Sequence, residues 1–192
     1  MMDARRGEAA GDAAPRVAII GIGNTLMADD GVGPAAVRLL MERAGQADVD
    51  EPPRACPAPQ TTVSAEIETG IEAILGEVAG MSLLPYFRSC AGVVVIDGID
   101  AGAEPGALFQ FGPDETGTTQ LRSGSIHGLG VPHLVANARL TGADPKVTIV
   151  AVQVRDVRPL PDRLSPAVAA VVSQAADLAL DEARRLRSLA GD

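Results

Sequence analysis

The sequence predicts an α/β fold: a single three-layer domain with a mostly parallel, twisted sheet of about five strands and helices on both faces. Three observations carry this. The runs VAII from Val17, AGVVVID ending at Asp97 and KVTIVAVQ ending at Gln153 are short and almost wholly apolar, as strands buried on both faces of a parallel sheet must be. Stretches with helical spacing alternate with them, the pattern of βαβ units. A chain of 192 residues with 46% hydrophobic content can bury one sizeable core, and no composition shift marks a second domain.

Taken in order, residues 1–15 are small, polar and mixed in charge and are expected to be a disordered tail, leaving 16–192 as the domain. Arg5 and Arg6 are not followed by the apolar run of a twin-arginine signal. Val17 to Ile20 form the first strand, bounded by Gly21 and Gly23. Val32, Ala36, Leu39, Leu40 and Arg43 then keep helical spacing, with Pro34 in the first turn and Gly45 as a stop. Residues 46–62 hold Pro52, Pro53, Pro57 and Pro59 and read as an irregular excursion. From Val63 to Leu75 the pattern suits a strand at Ile71–Leu75 or a short helix containing a glycine; the strand is preferred.

A helix from about Ala79 to Arg88 is expected to turn Met81, Leu84 and Tyr86 or Phe87 toward the sheet. The central strand follows and ends on Asp97. GALFQFG at 106–112 reads as an edge strand, and 112–124 as loop. A helix is expected from His127 to about Leu140, with Pro132 early and Gly142 closing it. After the last buried strand, one long amphipathic helix is expected from Ser165, with Pro166 at its first position, through Val168, Val172, Ala176, Leu180 and Leu186.

Composition excludes some functions. A net charge of −9 with 2% aromatics provides neither the basic groove nor the stacking platforms of a nucleic-acid surface. No stretch approaches the ~20 apolar residues of a membrane span, so a cytoplasmic protein without membrane insertion is expected. Cys56 and Cys90 are isolated, with no CxxC, which fits a reducing compartment and buried or idle thiols.

Candidate site residues gather where strands give way to helices. Gly21 and Gly23 suggest a dinucleotide fingerprint, but Leu26 stands where the third glycine belongs, and Asp29 and Asp30 would repel a pyrophosphate. Either aspartate also suits a helix cap, a role compatible for Asp30 with ligation. Asp30 follows the first strand, Asp97 ends the central one and His127 opens a helix. In an open α/β sheet these ends share one edge, where ligands bind. Two carboxylates and an imidazole make a partial site for a borderline divalent ion such as Zn²⁺ or Ni²⁺. The nitrogen ligand must be His127 or His133, the only histidines, and His133 lies further into the helix. Each residue also has a bland reading, Asp97 before Gly98 as a turn residue and His127 as a helix start.

From Val17 onward, most of the chain resembles the peptidases that mature the large subunit of nickel-iron hydrogenases. That family opens with a strand and a G-[IV]-G-N-x-L-x-x-D-[DE]-x-x-G turn, matched by Gly21, Ile22, Gly23, Asn24, Leu26, Asp29, Asp30 and Gly33. GMSLLP resembles its next helix, VVVIDGI its central strand, SIHGLG its histidine segment and LSPAVA the start of its last helix. Where the family has an Asp-Gly-Gly-Thr type loop, this chain has GEVAG at 76–80. The resemblance places the family's metal-contacting and catalytic positions on Asp30, Asp97 and His127. It implies an endopeptidase, with nickel carried by the substrate and no organic cofactor, that removes a C-terminal extension from the hydrogenase large-subunit precursor. Asn24 is expected to brace the turn. The rival readings are a hydrolase with a resident divalent metal on the same three residues, and a noncatalytic chaperone of the precursor.

Overall fold

The computed structural model describes residues 16–46, 63–77, 80–115, 130–159 and 163–191. The elements are β1 (Val17–Ile22), α1 (Val32–Arg43), β2 (Ser64–Glu68), β3 (Ile71–Glu77), α2 (Leu84–Ser89), β4 (Gly92–Ile99), β5 (Leu108–Phe111), α3 (Gly130–Leu140), β6 (Lys146–Gln153), α4 (Pro166–Ala169) and α5 (Val172–Ala190). The described strands form one sheet in the order β2-β3-β1-β4-β6-β5. β3, β1, β4 and β6 run parallel, and antiparallel β2 and β5 close the two edges.

Both faces of the sheet are covered, which is why its central strands are mostly apolar. Val17 and Ile19 of β1 and Val94 and Ile96 of β4 pack with α1 and α5. Ala18 and Ile20, and Val93 and Val95, point the other way into a second core with α2 and α3. Alternation along a strand therefore assigns each residue to a core. Among the described residues no helix is long and apolar enough to cross a membrane.

Several sequence expectations change. The sheet has a sixth strand, β2, which forms a hairpin with β3 through Thr69 and Gly70; Ile71 does begin a strand. The helix expected over 79–88 begins as a 3-10 turn, Gly80–Leu83, and becomes α-helical only at Leu84. The tighter winding changes the facing residues: Leu83, Tyr86 and Phe87 are buried while Met81 is 53% exposed. The single C-terminal helix is two, α4 and α5, separated at Ala170 and Val171. Residues 1–15 and 47–62, most of the loop expected at 112–124, and His127 lie outside the described residues.

Connectivity fixes the orientation of the edges. The chain leaves β1 for β3 on one side and later enters β4 on the other, so the carboxyl ends of β1 and β4 flank the topological switch point, where open α/β sheets hold their ligands.

Candidate functional site

At the carboxyl end of β1 the backbone must turn sharply beneath a helix. Gly23 has φ +134°, and a Cβ there would lie 1.8 Å from the carbonyl oxygen of Asp30. No other residue fits. Further on, a Cβ at Gly33 would lie 2.2 Å from the Ile22 oxygen and 2.4 Å from the Ile96 oxygen. The first turn of α1 therefore rests on the ends of β1 and β4 together, and Gly33 performs the close helix packing that a dinucleotide fingerprint assigns to the position of Leu26. Leu26 itself is 60% exposed.

Between these glycines Ala28–Gly31 form a 3-10 turn. Asn24 organises its approach: its Oδ1 accepts the Leu26 N–H at 2.9 Å, and its carbonyl accepts the Met27 N–H at 2.9 Å. Asn24 thus braces the turn as expected. Ala28 sits at φ +46°, a conformation that costs a non-glycine residue about 1–2 kcal/mol and must be held by its neighbours.

The two aspartates of this turn separate in role. Asp29 is fully buried. Its Oδ2 accepts the N–H groups of Arg155 and Asp156 at 2.9 and 3.0 Å and the Ser165 hydroxyl at 2.9 Å. Its Oδ1 accepts the Ser165 N–H at 2.5 Å, and its own N–H donates to the Asp156 carbonyl. Asp29 is therefore a clamp that joins the turn to the segment after β6 and the start of α4. Asp30, 7% exposed, accepts the Asn24 N–H on Oδ2 at 2.8 Å. Neither aspartate caps α1: its N-cap is Gly31, with no side-chain cap bond. The cap reading is replaced by bonds that reach out of the helix.

Asp97 lies inside β4, two residues before its end, paired with Ala151 of β6, so it is not a turn residue. It is 2% exposed, and its Oδ1 accepts the Gly98 N–H at 2.8 Å. Following Ile96, it points toward the α2 and α3 face by alternation. A Cβ at Gly98 would lie 3.5 Å from the Asp29 carbonyl oxygen, so β4 passes directly against the Asp29–Asp30 turn. Asp30 and Asp97 thus occupy one edge of the sheet on the two sides of the switch point.

His127 lies outside the described residues, three positions before Gly130, where α3 starts. α3 ends shortly before the amino end of parallel β6 and packs against the 3-10 turn that follows β3, so its beginning lies on the carboxyl edge. His133 is exposed on α3, in keeping with the bland reading. Among the described residues no three His, Cys, Asp or Glu side chains form a metal-holding group, and the three-residue set expected from the sequence includes His127. Cys90 is buried, as expected; Cys56 lies outside the described residues.

Gln153 is a supporting residue the sequence did not mark. Buried at the end of β6, its Oε1 accepts the Ala101 and Ala103 N–H groups at 2.8 and 3.2 Å, and its Nε2 donates to the Val154 carbonyl at 2.8 Å. It fixes the loop that leaves β4. Its partners in that loop are about fifty residues away in sequence, and the only local signal is a polar residue at the end of an apolar run.

A family model described as hydrogenase maturation protease matches residues 63–182. Among curated relatives, the hydrogenase expression/formation protein HupD of Rhodobacter capsulatus is 29% identical over 176 residues, covering 90% of this chain and 72% of the relative. HoxM of Azotobacter vinelandii is 28% identical over 173 residues, covering 88% and 72%. Among solved structures, the hydrogenase maturating endopeptidase HybD from E. coli superposes with TM-score 0.68 at 24% identity, covering 88% of this chain and 93% of that one. The HybD maturation protease from Thermococcus kodakarensis superposes with TM-score 0.61 at 24% identity, covering 88% and 99%. These structures share the α/β fold described above.

Proposed function

The chain belongs to the hydrogenase maturation protease family and is a peptidase, and from this premise we propose that it removes a C-terminal extension from the nickel-loaded large-subunit precursor of a nickel-iron hydrogenase. The observation that carries the reading is the placement of two buried carboxylates, Asp30 and Asp97, on either side of the switch point at the carboxyl edge. Carboxylate oxygens there, with the imidazole of His127 as the third donor, suit a borderline divalent ion.

In this proposal the ion arrives with the substrate. Asp30, Asp97 and His127 complete the coordination of nickel already held by substrate cysteines, which positions the scissile bond and makes cleavage conditional on loading. The nucleophile is water, activated by a carboxylate or by the metal. The setting also suits a polypeptide: Leu26, in the turn after β1, and Met81, in the turn after β3, are exposed at this edge.

The test is incubation of the purified protein with nickel-loaded and nickel-free precursor, read by mass spectrometry. Cleavage of the loaded form alone is the expected result. Cleavage of both forms, together with one equivalent of metal in the protein as purified, would establish the resident-metal hydrolase instead. Tight binding of loaded precursor without cleavage would establish the chaperone.

A further inference from the structure

Asp29 is a buried carboxylate that the proposed cleavage leaves without a task. Four donors converge on it: the N–H groups of Arg155, Asp156 and Ser165, and the Ser165 hydroxyl. Three of them reach Oδ2 and one reaches Oδ1. A buried charge is tolerated only when it is satisfied in this way. An asparagine here keeps one oxygen, but its NH2 group turns a donor toward donors. The clamp therefore needs the carboxylate itself, and its partners lie 126 to 136 residues away.

The turn that the clamp grips does not hold its own shape. Ala28, the preceding residue, sits at φ +46°, and neither the 3-10 turn nor α1 has a side-chain cap bond at its start. Such a backbone persists only where its surroundings over-determine it. Asp29 supplies that constraint with its side chain and with its N–H, which donates to the Asp156 carbonyl at 2.9 Å. It also stands between the two proposed ligands. Asp30 is the next residue in the chain, and the Asp29 carbonyl oxygen lies 3.5 Å from the place a Cβ on Gly98 would take, one residue after Asp97.

We propose that Asp29 is a positioning residue for cleavage: by fastening the turn to the chain at Arg155, Asp156 and Ser165, it sets where the Asp30 carboxylate stands relative to Asp97. The inference rests on the reading above that Asp30 and Asp97 meet the metal of the precursor. Four donors occupy the Asp29 carboxylate, so it acts on the substrate only through Asp30. Misplacing a reacting group by about 1 Å can cost roughly a hundredfold in rate, which makes such a clamp visible in turnover as well as in stability.

The test is a double-mutant cycle between positions 29 and 30, on variants first checked for folding by circular dichroism. It is read by the single-turnover cleavage rate and by the Kd for nickel-loaded and nickel-free precursor. Asp29→Asn is expected to slow cleavage and to weaken binding of the loaded precursor, each about tenfold, while the Kd for the nickel-free form stays within about twofold. In an Asp30→Asn background the same change should cost less than about twofold, because the residue it acts through is already disabled. Ser165→Ala, which removes one donor and keeps the N–H, should show the same pattern at about threefold, and Ser165→Thr should return to wild type. Folded Asp29→Asn that cleaves at the wild-type rate would overturn the proposal, as would an equal fold-loss in both backgrounds. So would equal weakening of both precursor forms where wild type prefers the loaded one. Should Asp29→Asn fail to fold, the two Ser165 variants crossed with Asp30→Asn decide the matter by the same criteria. Wild type that binds and cleaves both precursor forms alike would sink the nickel reading alone, and the cleavage-rate cycle would still judge the positioning role.

Discussion

Asp30 Oδ2 accepts the backbone N–H of Asn24 at 2.8 Å, so the carboxylate proposed to meet the substrate also closes the turn that carries it. The two duties are separable by substitution. Asp30→Asn keeps an oxygen acceptor for that N–H but removes the charge, whereas Asp30→Ala removes both. Asp30→Asn is expected to unfold within about 1 kcal/mol of wild type, and Asp30→Ala to lose roughly 1–3 kcal/mol from the unpaired donor. Both should lose cleavage of nickel-loaded precursor by at least a hundredfold. Urea unfolding and a processing assay on the same preparations check this, and normal processing by Asp30→Asn would remove the residue from the proposed ligand set.

Asp29 has the opposite profile. Removing its carboxylate leaves the N–H groups of Arg155, Asp156 and Ser165 without their acceptor. With each lost partner costing about 1–3 kcal/mol, Asp29→Ala is expected to lose about 3 kcal/mol or more of unfolding free energy. The urea midpoint should fall with the slope unchanged.

How legible these roles were in the sequence depends on how far away each partner lies. β1, β4 and most of β6 are buried on both faces, so each appears as a nearly continuous apolar run. β2 reads Ser-Ala-Glu-Ile-Glu and lies at the edge, with Glu66 exposed and Ile67 half-buried, so its pattern does not stand out from the neighbouring loop. The break between α4 and α5 has no glycine or proline behind it. It faces a loop in which a Cβ at Gly106 would lie 2.7 Å from the Ala167 oxygen, a tertiary contact that no window of sequence contains. Adjacent aspartates could be placed at the right strand end from the sequence. Assigning one to the substrate and the other to the frame required Ser165, 136 residues away.

Gly33→Ala tests the seat of α1. The added methyl would lie 2.2 and 2.4 Å from two backbone oxygens, on β1 and β4, and neither can swing aside as a side chain would. The helix must lift from the switch point, at a cost of about 3 kcal/mol, the upper range for overpacking. Thermal unfolding measures the loss. A variant as stable as wild type would mean that α1 does not sit on both strand ends.

Glu182 gives a pH dependence with a definite sign. It is buried at 6% exposure and accepts two hydrogen bonds from Arg185 and one from Thr148, each at 2.7 Å. The Arg185 guanidinium, outweighing burial, holds its carboxyl below the ordinary 4.5. A carboxylate lowered on folding stabilises the protein above its unfolded value, and that contribution is lost as the pH falls through the folded one. Glu182→Gln is therefore expected to be destabilised near pH 6 and to converge toward wild type as the pH drops below 4.5. Unfolding free energies compared across that range check it; a constant difference would contradict the assignment.

The two histidines provide the sharpest test of the proposed substrate reading, because they belong to one segment and are given opposite roles. His133 is exposed on α3, and its helix is held to the sheet by Val131, Leu134, Val135 and Ala138 rather than by the imidazole. His133→Ala is expected to fold normally and retain most activity. His127 precedes α3 by three residues, and α3 starts at the carboxyl edge that holds Asp30 and Asp97. As the nitrogen donor of the proposed set, it contributes a ligand that neither carboxylate can replace. His127→Ala is expected to fold, to bind nickel-loaded precursor more weakly than wild type, and to fail to cleave it, while its weaker affinity for nickel-free precursor stays unchanged. That last comparison separates a metal-reading role from a general defect in docking. Processing of loaded precursor at the normal rate by His127→Ala would show that the imidazole does not read the metal.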